Sequence, residues 1–328
     1  MAKKIFSIIL RVGISIALLV FLFRQVDEKA LFEIIRGANK LLLVAAFLIY
    51  GLIYVLCLWR WEMLLRAFEV KLPIKRIIIS FAGGIFFNMF LPSTIGGDFV
   101  RSVDLATHTK KPRQIVATVL LDRLSGYIGL VTVALLALLF GWKLIQDRST
   151  LICIILITLL LIMVLFVFFN SFIFSKLNKF FDSPGAGKIK EAIGNLHEEI
   201  HYFKNHKKLI AENLILSFFI QVVSPVSFYI IALSLGIKIN MAYFFIFLPI
   251  IGAITLLPIS IGGLGLRDAT TIFFFAKAGV GKDLAFAMSL LSFIFLLLYA
   301  ALGGIIYVLT VHHRRLQPHQ PSAVLQKP

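Results

Sequence analysis

Acidic residues and cysteine are scarce in this 328-residue chain, with 16 Asp+Glu against 33 Lys+Arg and only two cysteines. Two cysteines exclude a disulfide scaffold. Cys57 and Cys153 both sit inside apolar runs, where a thiol behaves as a small buried hydrophobe and says little about redox compartment. Ten prolines and 22 glycines without a period exclude collagen. Charged residues make up 15% of the chain and hydrophobic ones 60%, with a mean hydropathy of +0.97. Soluble domains run near 25% charged, so a soluble domain is excluded, and so is disorder. There is no P-loop for a nucleotide and no G-x-S-x-G elbow for acyl transfer. The formal net charge of +17 points first to topology rather than to nucleic acid, because Lys and Arg collect in the cytoplasmic loops of membrane proteins.

What the chain has in abundance is long apolar runs. A hydrocarbon core of roughly 30 Å needs about 20 apolar residues as helix. Six segments meet that length: about 5–23, 41–59, 115–140, 150–170, 209–235 and 284–309. The first follows Lys3 and Lys4, contains Arg11 and lacks a small-residue cleavage site, so it reads as a retained helix and not a signal peptide. Two further stretches, 77–91 and 241–257, are 15 and 17 residues long and run straight into Pro/Gly clusters. If each enters and leaves on one side, the predicted inside segments carry 21 Lys+Arg and the outside loops 10. Both termini are then cytoplasmic. The fold class expected is all-α integral membrane, with about six full transmembrane helices and two re-entrant broken-helix hairpins, in one polytopic domain over 1–310. Residues 188–207 place Ile189, Ile193, Leu196, Ile200 and Phe203 at helical spacing, the pattern of an amphipathic helix on the cytoplasmic leaflet. Residues 311–328 form the expected cytoplasmic tail.

The two short stretches end in matching motifs. LPSTIGGDFVR at 91–101 and LPISIGGLGLR at 257–267 share L-P-x-x-I-G-G-x-x-x-R, six identities 166 residues apart. Three full spans lie between them, so the copies are expected to enter from opposite faces. This implies an inverted repeat with halves at about 41–140 and 209–309. Paired Pro/Gly-interrupted segments are the sequence mark of a transporter's binding site. Pro92 and Pro258 break the helix ladder. Gly96-Gly97 and Gly262-Gly263 permit tight turns and close approach to a ligand, and a helix restarting after each pair offers N–H groups to a phosphate. Packing kinks are the plainer alternative.

Ionisable residues at membrane depth are functional candidates by default. Asp98 and Arg101 are one helical turn apart and can pair. Asp122 and Arg123 lie about seven residues into the 115–140 span, and Arg267 and Asp268 follow the second motif. Arginine's planar fork suits a lipid phosphate; Arg101 and Arg267 lead that set, with Arg123 beside them. Pairs that only lock helices together are the competing use. Asn88, Ser93 and Thr94, with Gln221 and Ser224, are polar residues in apolar runs, suited to lining a cavity or to interhelical hydrogen bonds. His197-Glu198-Glu199-Ile200-His201 matches H-E-x-x-H literally. Both histidines flank the amphipathic stripe and no third ligand follows, so a solvated helix face is expected, with no metal, catalytic residue or cofactor.

The segments FFNMFLPSTIGGDFVR, TVLLDRLSGYIGL and LLPISIGGLGLRDA resemble, in order, the flippase-like membrane domain of lysylphosphatidylglycerol synthases (multiple peptide resistance factors) and its stand-alone relatives. The resemblance covers about residues 5–310. It implies a lipid-translocating membrane domain whose partner is a membrane phospholipid or lipid-phosphate. The cytosolic aminoacyl-transferase domain of the full-length synthases is not expected here. The alternatives are a membrane enzyme or subunit in lipid modification working with a separate catalytic partner, and an intramembrane zinc protease.

Overall fold

The computed structural model describes residues 13–18, 20–22, 27–90, 96–144, 148–169, 206–257 and 259–316. Every regular element among them is helical. After a helical stretch within 13–22 come α1 (Glu28–Gly37), α2 (Lys40–Ala67), α3 (Ile74–Phe90), α4 (Gly96–Ala106) and α5 (Pro112–Gly141). The second half holds α6 (Arg148–Phe169), α7 (Lys207–Ser234), α8 (Ala242–Thr255), α9 (Leu266–Ala276) and α10 (Lys282–Leu316). Five of them, α2, α5, α6, α7 and α10, are long and apolar enough to cross a membrane. They match five of the six expected spans. The sixth, 5–23, lies mostly outside the described residues, as does nearly all of the amphipathic stretch 188–207 with its H-E-x-x-H. The protein is an all-α, multi-pass membrane protein.

Local chemistry sets several boundaries. The Asn39 side chain accepts the Leu41 and Leu42 N–H groups and starts α2, and Pro112 opens α5 where a missing N–H costs nothing. The loop expected at 24–40 is instead mostly α1. Asp27 caps it, accepting from Lys29 and Ala30 N–H, while Leu31 packs with Leu22 and Phe286. α2 also continues eight residues past the expected end at 59, because Trp61, Leu64 and Leu65 carry on its apolar stripe and are fully buried.

The two short helices that matter most turn back on their successors. Along α3 and α4, Arg76 meets Asp104, Ser80 donates to the Arg101 carbonyl and Gly84 meets Gly97, so positions advance on one arm as they retreat on the other. The same antiparallel register joins α8 to α9: Phe244 with Phe275, Phe247 with Phe274, Thr255 with Gly263. Each pair is a hairpin of arms too short to cross alone, 17 and 11 residues in the first and 14 and 11 in the second.

α5 orients the hairpins relative to each other. The open end of the first joins the start of α5 through residues 107–111. The open end of the second packs at the far end of α5, where a Cβ on Gly141 would lie 3.0 Å from Ile246 and 3.8 Å from Ala242. The closed ends meet between, with Gly262 beside the Met89 carbonyl. Contacts are also exchanged in kind: α3 packs on α10 as α8 packs on α5, α2 packs on α7, and α4 packs on α5 as α9 packs on α10.

Candidate functional site

Five ionised side chains from three helices form one chain of alternating sign. Arg60 Nε on α2 donates to Asp122 Oδ1 on α5 at 2.8 Å, and Arg101 Nη2 on α4 donates to Asp122 Oδ2 at 2.9 Å. The same Arg101 Nη2 lies 3.0 Å from Asp98 Oδ1, while Arg123 Nε on α5 donates to Asp98 Oδ2 at 2.5 Å. Each carboxylate therefore bridges two guanidinium groups. Burial forces this arrangement, because an uncompensated charge taken out of water costs several kcal/mol. The Arg60 Nη1 group also donates to Ser217 on α7 at 3.0 Å, and the Arg101 guanidinium lies 4.7 Å from the Trp61 ring centre.

Three cations and two anions leave this chain at a net charge of +1. Its ends differ in access: the Arg123 side chain is 30% exposed, whereas those of Arg60, Arg101, Asp98 and Asp122 are between 5% and 8%. All five face a cavity of about 400 Å³. Tyr50, Tyr54 and Cys57 on α2, Asn88 on α3, Tyr127 and Leu130 on α5, Gln221 and Ser224 on α7 and Gly252 on α8 are among the other residues of its wall. Gln221 Nε2 also donates to the Gly126 carbonyl at 3.2 Å, so this residue serves both uses foreseen for it, lining the cavity and tying α7 to α5.

The structure thus brings together Asn88, Asp98, Arg101, Asp122 and Arg123 of the expected set. Asp98 and Arg101 pair as their spacing predicts. Asp122 and Arg123 do not pair with each other in this chain. Neighbours on a helix project about 100° apart, and each meets a different helix.

The second motif goes elsewhere. Arg267 and Asp268 are not on the cavity wall; they pair at 3.2 Å, and both engage Ser289 on α10. Asp268 is buried and accepts the Gly265 N–H at 3.0 Å, and the Arg267 guanidinium lies 5.0 Å from the Phe293 ring centre. This cluster pins the start of α9 to α10.

The glycine pairs also diverge. Gly262 and Gly263 turn with φ of 58° and 77°, a left-handed path that favours glycine. Gly96 and Gly97 instead open α4. A Cβ on Gly97 would collide with the Gly84 carbonyl, and its N–H donates to Asn88 Oδ1 at 2.9 Å. At each helix start one amide already has a side-chain acceptor, Asn88 for Gly97 and Asp268 for Gly265. Pro92, Ser93, Thr94 and Pro258 lie outside the described residues.

Arg60 is the charged cavity-lining residue that the sequence reading missed. Ending the second span at 59 made it one more cytoplasmic loop charge, yet it is 6% exposed and anchors the chain of charges. The signal was present in Cys57, Trp61, Leu64 and Leu65, whose helical spacing carries the apolar stripe through and beyond Arg60. Arg76, also counted as a loop charge, is buried and paired with Asp104 at 2.6 Å.

A bundle of membrane-crossing helices around a charge-lined cavity, with two antiparallel pairs of short helices packed into it, defines the class: a polytopic all-α membrane protein with a polar interior. The chain belongs to the family of the lysylphosphatidylglycerol synthase transmembrane region, which it matches over residues 8–304. It is similar to a UPF0104 membrane protein of Pyrococcus horikoshii, 25% identical over 330 residues, covering 93% of this chain and 96% of that one. Two UPF0104 membrane proteins of Methanothermobacter thermautotrophicus are 24% and 23% identical, each covering 78% of this chain and 81% and 79% of their own.

Proposed function

We propose that this protein is a flippase-like lipid translocator that passes the phosphate-bearing headgroup of a membrane lipid through the cavity between its two halves. The observation that carries the reading is the net +1 charge of the cavity wall. One phosphodiester, singly negative, neutralises it, and 400 Å³ falls within the range of small-ligand sites. Arg123, the most exposed cation of the chain, makes first contact with the phosphate. Arg60 and Arg101, held by their shared carboxylate, present a fixed positive field behind it. Asn88, Gln221, Ser224 and the three tyrosines Tyr50, Tyr54 and Tyr127 offer hydrogen bonds to headgroup hydroxyls.

Alternating access needs two similar halves around one site. The repeated motif, the exchanged helix contacts and the hairpins approaching from opposite ends of α5 all support an inverted repeat. Both termini are then cytoplasmic, in the cell membrane. No nucleotide motif is present in the sequence, so movement follows a gradient or equilibrates the leaflets.

Reconstitution into vesicles containing a fluorescent phosphatidylglycerol, with dithionite access as the readout, tests this. Arg123→Ala is expected to slow translocation at least tenfold, about 1.4 kcal/mol, and Arg123→Lys to recover part of it. Equal rates in wild type, Arg123→Ala and protein-free vesicles would reject the reading. Translocation that is normal in Arg123→Ala would move the phosphate site elsewhere.

A further inference from the structure

A second concavity lies further along three of the helices that wall the cavity. It is an apolar groove of about 330 Å³ between α5, α7 and α8, and every residue lining it is apolar. On α5 the cavity residues Arg123, Tyr127 and Leu130 continue at steps of three and four into the groove residues Val133, Ala137 and Phe140. On α7, Ser224 and Gln221 of the cavity lead to Phe218 of the groove; on α8, Leu256 and Gly252 lead to Phe245 and Ala242. On each helix the cavity residues thus give way within one or two turns to groove residues, from charge to hydrocarbon. Leu130 and Gly252 mark the threshold: a Cβ on Gly252 would touch Leu130 at 3.8 Å.

From this geometry we infer that the groove seats one acyl chain of the glycerophospholipid whose phosphate occupies the cavity. The inference rests on the translocator reading. A +1 pocket and an apolar groove further along the same helices match an amphiphile with an anionic head and a hydrocarbon tail. From Arg123 to Val133 is about 15 Å at 1.5 Å per residue, half of the roughly 30 Å hydrocarbon core. A tail whose phosphate lies at Arg123 therefore passes Leu130 and lays its distal methylenes along Val133, Ala137 and Phe140. A methyl at 252 would only reach ordinary contact with Leu130, so it takes a branched side chain such as valine to narrow the threshold. The lipid is then held at both ends, which distinguishes it from lipid that merely surrounds the protein.

The test uses the full chain in phosphatidylcholine vesicles with a trace of phosphatidylglycerol carrying a diazirine near the end of one acyl chain. Photolysis and peptide mass spectrometry locate the adducts. Groove residues are expected to label at least fivefold more than Leu159 and Leu160 of α6, which are 56% and 60% exposed and serve as the lipid-facing reference. Ala242→Phe, which fills the groove, is expected to erase the excess, and Gly252→Val to reduce it. Labelling equal to the reference would show surrounding lipid only and overturn the inference. So would a groove shielded from lipid, with Phe140→Cys cross-linking two chains, since a second copy would then cover it. Translocation that depends on Arg123 while the groove fails to label would sink the groove alone. Groove labelling in vesicles that show no translocation would sink the translocator reading and leave a bound lipid.

Discussion

Asp122 is the residue on which the polar interior turns. It is 4% exposed and holds Arg60 from α2 and Arg101 from α4 against α5. Replacing it by Asn leaves the buried Arg60 without its carboxylate and Arg101 sharing Asp98 with Arg123. Asp122→Asn and Arg60→Leu are each expected to cost about 3–5 kcal/mol, the range for breaking a buried pair from one side, read as the shift in a denaturant midpoint in micelles. The helix-surface pair Arg66–Glu62, with the Arg66 side chain 76% exposed, is the control: Arg66→Ala is expected to cost less than about 1 kcal/mol. At this scale the sequence supplied the candidates but not their partners. Asp98–Arg101 was legible because both sit on one helix one turn apart. Arg60–Asp122 was not, because 62 residues separate the two in sequence and only the packing of α2 on α5 brings them together.

At the scale of elements, the first hairpin depends on its glycines. Gly97 faces Gly84 so closely that a side chain there has no room, and the arms are also tied by Ser80 to the Arg101 carbonyl at 3.0 Å. Gly97→Val is expected to pry α4 from α3, destabilising by about 1–3 kcal/mol or more as overpacking does, and to displace Asp98 and Arg101 with it. Thermal unfolding combined with the translocation assay checks this; an unchanged midpoint would mean the arms separate freely. The two L-P-x-x-I-G-G-x-x-x-R motifs are alike in backbone residues but not in chemistry, and the sequence already shows this at their eighth position. Asp98 carries the first copy into the charge chain. Leu264 stands at the matching position of the second, so Arg267 has no carboxylate there and pairs with Asp268 at the start of α9. α1 was missed because its ten residues are short beside membrane spans, although the Asp27 cap announced it.

For the whole molecule, the sharpest expectation concerns the two hairpins' open ends. Lys110, beyond the first hairpin, and Lys238, before the second, are both exposed and lie toward opposite ends of α5. In a background lacking Cys57 and Cys153, Lys110→Cys and Lys238→Cys are expected to react with a membrane-impermeant maleimide from opposite sides of the cell membrane. Labelling of both from one side would contradict the inverted arrangement and the alternating access built on it.

Composition and hydropathy by themselves determined that this chain is a helical membrane protein, where its long spans lie and which short stretches could not cross. Those are properties of local runs, decided by the cost of placing backbone and charge in hydrocarbon. The repeated motif likewise marked the two breaks. Only the tertiary structure decided that Arg60 belongs with Asp122, that Arg267 stays off the cavity wall and that an apolar groove forms between α5, α7 and α8. The physical reason is that a buried charge is stable only beside its opposite, and which opposite it meets is set by how distant helices pack.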